Sequence, residues 1–513
     1  SYEKLRGKLI DNIQFDTLLH LGSRTFPEIG GEVVQNASFT FLKAKPINKG
    51  SYVRLVDYDN SELKRNKTLE AIQNPQCGWF YTANQKDFEK IPGSSIGYWV
   101  SNKIINLFKN NTIEDYGEPR QGLATSDNNR FLRFWTEVTI NKFSLFKGNK
   151  WYPFNKGGKY RKWYGNQELA INWEDNGYEL IDYAKKLYKS PTRTIKNIKY
   201  YFKEGITFSV LNSKGFGGRY TPNGFIFDVQ GSTIFSKKTY LINLIAFLNS
   251  IVAKELLELI SPTLSTHVGY IKKLPLIITD SKKHEELTVL TINISKSDWD
   301  SRESSWDFKK NELLRLKSDT LKETLYRYMD YWEEQFFQLH HNEEELNRQF
   351  IEIYGLQDEL TPDVPLEEIT ILQEETSIEN GELVFHADEV IAQFVSYAVG
   401  CMFGRYSLDK EGLILANQGE TLQDYLEKVG RKEEKLTFVP DRDNIIPVLD
   451  DEWFRDDIVE RFYSFLKASF GEENFRKNLE FVEECLGKDI RKYFTRDFYK
   501  DHIRRYKKRP IYW

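Results

Sequence analysis

Lysines and arginines alternate with tryptophans, tyrosines and glycines over residues 141–219, most densely in WYPFNKGGKYRKWYGN, residues 151–166. The block holds 16 Lys plus Arg against 6 Asp plus Glu, whereas the 513-residue chain carries a formal net charge of −4. A local positive field of that size attracts a polyanion even when the whole molecule does not. Rings set among the charges offer stacking faces for bases. Within the block, Lys156, Lys159, Arg161 and Lys162 surround a Gly157-Gly158 turn and are expected to hold phosphates. Trp163 and Tyr164 suit either stacking or anchorage in the core.

Two neighbouring stretches add to this chemistry. The loop EPRQGLATSDNNRFLRFWTEV, residues 118–138, brings Arg120, Gln121, Asn128 and Arg130 close together. Arg, Gln and Asn form bidentate bonds with base edges, so the loop suits reading in a groove. The same composition also suits an Asx-rich turn that caps its own backbone. In residues 197–224 the sequence predicts a strand hairpin, with Lys214 and Arg219 placed to contact a DNA backbone. Its GFGGR lacks both the GxxxxGK[ST] of a P-loop and the GxGxxG of a dinucleotide site. The seven histidines form no HExxH, and no GxSxG elbow occurs, so the chain shows no self-contained active site and no metal site.

The elements that must position these residues are mixed. A helix at YEKLRGKLIDN leads into strands over residues 15–21 and 33–44, then a strand over 52–58 and a helix from Ser61 to about Gln73. A single long helix is predicted over residues 239–260, and an apolar helix interrupted by Gly400 and Gly404 over 390–408. Long charged helices fill 304–358, acidic residues dominate 341–390, and a basic run closes the chain over 491–509. The acidic run reads as a solvated face or as a wall that repels DNA. The fold class expected is α/β and α+β multidomain. Its parts are residues 1–109 as the end of a catalytic domain and connection, 110–280 as a DNA-binding domain, 281–378 as a helical spacer and 379–513 as a helical C-terminal domain. Cys77, Cys401 and Cys485 lie far apart and suit a reducing cytoplasm. No apolar stretch reaches the roughly 20 residues of a membrane span, and no signal peptide opens the chain. The absence of an initiating methionine and the abrupt end at RYKKRPIYW suggest a portion of something longer.

The motifs YEKLRGKLIDN, HLGSRTFPEIGGEVVQNASFTF, IPGSSIGYWVS, GLATSDNNRFLRFWTEV, GGKYRKWYGN, NIKYYFKEGITFS, IYGLQDELTPDV and YAVGCMFGRYSLDKEGLI occur in order along the chain. Together they resemble the middle and C-terminal parts of the PglX family, the adenine-specific DNA methyltransferases of BREX bacteriophage-exclusion systems. More distantly, the first half is similar to Eco57I-like restriction-modification enzymes. The resemblance implies S-adenosyl-L-methionine bound in a Rossmann-like methyltransferase domain and methylation of adenine N6 in double-stranded DNA. The donor-binding Gly-rich motif and the Asn-Pro-Pro-Tyr tetrapeptide of the family do not occur here. The chain is therefore expected to be the target-recognition portion, without independent activity and needing the missing N-terminal methyltransferase portion. Residues 1–44 would end the catalytic sheet, with Phe26 a candidate to stack on a base rotated out of the duplex. Other BREX proteins or phage DNA-mimic inhibitors are further candidate partners. The alternatives are the specificity module of an Eco57I-like enzyme and a non-enzymatic scaffold for other defence proteins.

Overall fold

The computed structural model describes residues 3–28, 34–211, 214–261 and 265–511. The chain divides into two units. The first comprises Ser1–Glu118, Ile251–Ile278 and Phe350–Thr361; the second comprises Pro119–Ser250, Thr279–Gln349 and Pro362–Trp513.

In the first unit, the helix Glu3–Asn12 turns directly into strand β1 (Gln14–Gly22). Gln85, fully buried, secures that turn: its amide donates to the carbonyls of Ile10 and Ile13, each at 2.7 Å, and accepts from Phe15 N at 2.8 Å. A buried amide is tolerated there because its hydrogen bonds are made. β1 pairs antiparallel with β2 (Asn36–Leu42) and parallel with β3 (Gly50–Arg54), and β3 pairs antiparallel with β4 (Phe80–Ala83). The order is β2-β1-β3-β4. Phe15, Leu18 and Tyr52 from the sheet close on Ile10 of the helix and on Phe88 and Tyr98. β1, β2 and the helix Ser61–Gln73 lie where the apolar pattern places them; the strand expected over 52–58 is β3, overlapping it only at 52–54, and the pattern did not show β4.

Besides a two-stranded hairpin of Thr376–Glu379 with Glu382–Phe385, the second unit contains two small four-stranded sheets. One has the order β11-β7-β8-β6, from β6 (Leu132–Phe134), β7 (Trp151–Asn155), β8 (Leu169–Asn172) and β11 (Ile226–Phe227). The other has the order β10-β9-β12-β5, from β5 (Gly117–Arg120), β9 (Gly205–Phe208), β10 (Gly218–Thr221) and β12 (Thr233–Ser236). β9 and β10 form the expected antiparallel hairpin, with Arg219 opposite Thr207; Asn212 and Ser213 near its tip lie outside the described residues. Phe154, Ile171, Ile226, Phe227 and Trp173 meet in one core behind the first of these sheets.

The helix expected over residues 239–260 is two helices, Lys238–Leu248 and Ile251–Ile260. Asn249 ends the first because its side chain serves β10 instead: Oδ1 accepts from Gly218 N at 2.8 Å and Nδ2 donates to Gly218 O at 3.0 Å. Gly400 does not interrupt its helix, which runs continuously over Ala387–Met402; Gly404, at φ +69°, lies beyond the end. That helix is buried from Val390 to Met402 except at Gln393, as an all-round apolar helix must be. Among the described residues five shorter α-helices follow, over Leu422–Val429, Ile458–Phe470, Phe475–Leu486, Ile490–Arg496 and Phe498–Arg505. The chain is thus mixed α/β with small sheets and a helical C-terminal region. Among the described residues no single helix is long and apolar enough to cross a membrane.

His502, fully buried, stacks on Phe498 with ring centroids 5.8 Å apart and accepts from Ile511 N through Nε2 at 3.3 Å. Burial, helped by the charge of Arg505, lowers its pKa from 6.5 to about 4. Below pH 6.5 the unfolded chain takes up a proton that the folded chain refuses. Stability contributed above pH 6.5 is therefore lost as pH falls towards 4, by on the order of 2–3 kcal/mol. Urea unfolding at pH 7 and pH 4.5 should show a smaller acid loss in His502→Gln than in the wild type; equal losses would contradict this.

Candidate nucleic-acid interface

Within the Lys156–Asn166 loop, residues 161–165 are buried and fix its shape. Trp163 takes φ +70°, a strained value for a bulky side chain. Its backbone is held by accepting from Tyr220 N at 2.7 Å and donating to Gly218 O at 2.8 Å. Its indole N–H donates to Glu343 Oε1 at 2.7 Å. Gly165, at φ +117°, allows Arg161 and Trp299 to close in: a Cβ there would lie 2.5 Å from Arg161 Nε.

Arg161 and Lys162 are buried on the inner side of this loop, at 6% and 4% exposure. Arg161 is ion-paired with Asp298 of the helix Lys282–Asp300, and Lys162 with Glu343 of the helix Leu321–Tyr354. Asp298 also accepts from Arg302 at 2.8 Å and from Leu372 N at 2.9 Å, while Arg302 pairs with Glu375. Burial opposes ionisation of Asp298, but Arg302 and Arg161 outweigh it and hold the carboxyl below its ordinary range. Burial likewise opposes the charge of Lys162, and Glu343 outweighs it, holding the ammonium above its ordinary value. Arg219 is also buried, at 1% exposure, with Nη1 3.3 Å from the carbonyls of Arg161 and Gly217. Burial, with Arg161 beside it, pushes its guanidinium down to about 9, still charged near neutrality.

The other expected residues lie nearer solvent. Lys156 is half-buried and its pKa is lowered by burial; Lys159 and Lys214 are exposed. Arg130 is exposed and forks onto Glu179 Oε1 at 2.9 and 2.8 Å. Asn128 opens a single-turn helix and accepts from Thr125 Oγ1 at 2.6 Å. Phe26 is 49% exposed in the segment between β1 and β2, part of which lies outside the described residues. In the basic run over 491–509, Arg491, Arg504, Arg505, Lys507 and Arg509 all meet carboxylates. Much of that charge is locally balanced.

The structure also assembles a surface that sequence reasoning did not single out. Residues 120–126 run beside 188–203: Ala124 N donates to Thr194 O at 2.9 Å, Asn197 Nδ2 to Gln121 O at 2.8 Å, and Tyr188 OH to Ser126 Oγ at 3.2 Å. On this platform Arg120, Lys199 and Lys203 converge on the ring of Tyr200, at 5.2, 5.0 and 5.5 Å from its centroid. Lys196 donates to Gln121 Oε1 at 3.4 Å. Arg193 covers Tyr188 at 4.9 Å. The signal was present in KNIKYYFK, where Lys196, Lys199 and Lys203 recur every three or four residues, but the segment reads first as a strand. Exposed cations fixed by cation–π contacts beside exposed amides make a surface that can bind a phosphate backbone and reach base edges.

The buried pairs generate a stability test. Glu343→Gln leaves the Lys162 ammonium without its counter-charge in the interior and should cost about 3–5 kcal/mol in urea unfolding, with Lys162→Met/Glu343→Gln costing less than Glu343→Gln alone. A Glu343→Gln protein as stable as wild type would show that the pair is not the anchor of the loop.

No family model matches the chain. It is 38% identical over 539 residues to the adenine-specific methyltransferase PglX of Lacticaseibacillus casei (strain Zhang), spanning 100% of this chain and 43% of that protein. It is also 38% identical over 538 residues to the adenine-specific methyltransferase BrxX of Escherichia coli O9:H4 (strain HS), with the same shares covered. The chain therefore spans less than half the length of these relatives. Among solved structures, the type IIG restriction endonuclease BpuSI is similar at 14% identity, a TM-score of 0.21, and 57% of this chain against 40% of that one. That superposition is too loose to bear on the fold.

Proposed function

We propose that this chain, related from end to end to the PglX and BrxX adenine-specific methyltransferases, is the part of such an enzyme that grips double-stranded DNA and selects its target. The observation that carries the reading is the platform formed by residues 120–130 and 188–203. There, the exposed Arg193, Lys199 and Lys203 and the half-buried Arg120, set against Tyr188 and Tyr200, flank the amides of Gln121, Asn128 and Asn129. Arg120, Lys196, Lys199 and Lys203 hold phosphates, Lys214 extends the positive surface, Arg130 is largely balanced by Glu179, and the amides approach base edges in the major groove. Lys156 and Lys159 add positive potential beside them. Arg161, Lys162 and Arg219 serve as internal props that shape the loop, since each is buried among protein partners.

Methyl transfer belongs to the complete enzyme in this reading. S-adenosyl-L-methionine is bound by a Rossmann-like domain to which the β2-β1-β3-β4 sheet contributes, and the exposed Phe26 ring stacks on the rotated adenine. The residues that would hold the donor are not recognisable in this chain: neither the Gly-rich motif nor Asn-Pro-Pro-Tyr occurs in its sequence. What this chain supplies is duplex binding, orientation and site choice, in the setting of phage exclusion together with other BREX proteins.

Fluorescence anisotropy with a labelled duplex tests the reading. Affinity should fall steeply between 50 and 200 mM salt, and Lys199→Ala/Lys203→Ala should weaken binding about tenfold or more at low salt while flattening the log–log salt slope by about 1–2. Binding indifferent to salt, or unchanged in that double variant, would refute the assignment of this platform.

A further inference from the structure

Beside the Gly157-Gly158 turn, in the second unit, the structure contains a cavity of about 420 Å³. That volume falls among small-ligand sites, which span roughly 300–1,000 Å³. One wall is the Lys156–Lys159 segment; facing it are Gln373 and Glu374, with Phe134 and Trp299 as aromatic surface and Glu168 and Lys507 also on the lining.

The charges of this cavity are unequal in their freedom. Arg161 and Arg302 on its wall are already balanced by Asp298 and Glu375. Lys507 lies 3.5 Å from Glu168. Lys156 and Lys159 differ: among the described residues neither ammonium has a hydrogen bond or an ion pair, although Lys156 is half-buried. The charge of Asp228 reaches Lys156, and those of Glu168 and Glu374 reach Lys159, but none of these carboxylates is bonded to either ammonium, which leaves their N–H groups for an anion. The backbone of the turn is shaped for a close approach. Gly158 stands at φ +143°, and a Cβ on it would lie 2.9 Å from Asn166 Nδ2. Ser209 Oγ donates to Gly158 O at 3.2 Å and accepts from Arg219 Nη2 at 3.4 Å. Arg219 thus places a buried positive charge, bonded to no carboxylate among the described residues, two hydrogen bonds behind the turn. Asn166, Gln373, Glu168, Glu374 and the rings of Phe134 and Trp299 also line the cavity and suit a planar, hydrogen-bonding group.

We propose that this cavity is a nucleotide site, taking a phosphate at Lys156 and Lys159 on the Gly157-Gly158 turn and a base against Phe134, within reach of Gln373 and Glu168. The inference does not depend on the duplex platform, since it rests on different side chains. The same chemistry reaches the site from two sources, a free mononucleotide or a nucleotide projecting from a DNA strand.

Isothermal titration of the whole chain with dAMP, with inorganic phosphate and with a short single-stranded oligonucleotide tests it. Saturable dAMP binding is expected, at least tenfold tighter than phosphate, and weakened at least tenfold in Lys156→Ala/Lys159→Ala. Lys159→Glu alone, at an exposed position, decides the matter if the double variant unfolds, and should also weaken dAMP at least tenfold. Competition of the oligonucleotide with dAMP identifies the strand as a source; dAMP binding without such competition identifies the free nucleotide. Lys199→Ala/Lys203→Ala should leave dAMP binding intact, so loss of duplex binding and loss of the cavity's ligand are separable. No binding of dAMP, or binding unchanged in a folded Lys159→Glu protein, overturns the proposal.

Discussion

A single buried carboxylate, Asp298, holds much of the second unit in register. It receives Arg161 from the loop, Arg302 from beyond the end of its own helix, and the backbone N–H of Leu372. Placing one anion between two guanidiniums in the interior is tolerable only because each charge has a partner and the remaining lone pairs are filled. Glu343 repeats the device nearby by receiving Lys162 and the indole N–H of Trp163. The left-handed backbone of Trp163 is bearable because both its side chain and its peptide groups are held. These contacts join residues far apart in sequence, and they turn a lysine-rich loop into a rigid part of the core.

That frame sorts the positive charges by task. Those consumed inside fix shape, and those left outside remain available to a polyanion. Tyr200 plays for the outer set a part like that of Asp298 for the inner one, gathering Lys199 and Lys203 around a ring that stabilises cations without neutralising them. A cation held by an aromatic face keeps its charge for a ligand; one held by a carboxylate has largely given it up. The difference matters more than the count of lysines.

Local pattern made much of the fold legible. The helix Ser61–Gln73, β1 and the β9-β10 hairpin follow from apolar spacing and turn residues, because their stabilising contacts are close in sequence or periodic. The break at Asn249 was hidden because its cause is a hydrogen bond to Gly218, 31 residues away. In the candidate site, Arg120 and Asn128 were legible as polar groups of one loop, Asn128 exposed and Arg120 half-buried. The fate of Arg161 and Lys162 was not, because their carboxylates lie 137 and 181 residues further on. The acidic stretch that begins at Glu343 reads as solvated, yet Glu343 enters the interior to meet Lys162 and Glu375 to meet Arg302. Charge composition gives the sign of a field, whereas pairing across the fold decides which charges produce it.

Amide hydrogen exchange in Asp298→Asn tests most directly whether this carboxylate is the frame. With the charge removed, Arg161 and Arg302 lose their shared anion, and protection should fall across residues 160–166 and 370–373. β7 and β8, held by their own ladder, should exchange as in the wild type. Unchanged protection in the loop would show that the loop keeps its shape without the buried ion pairs.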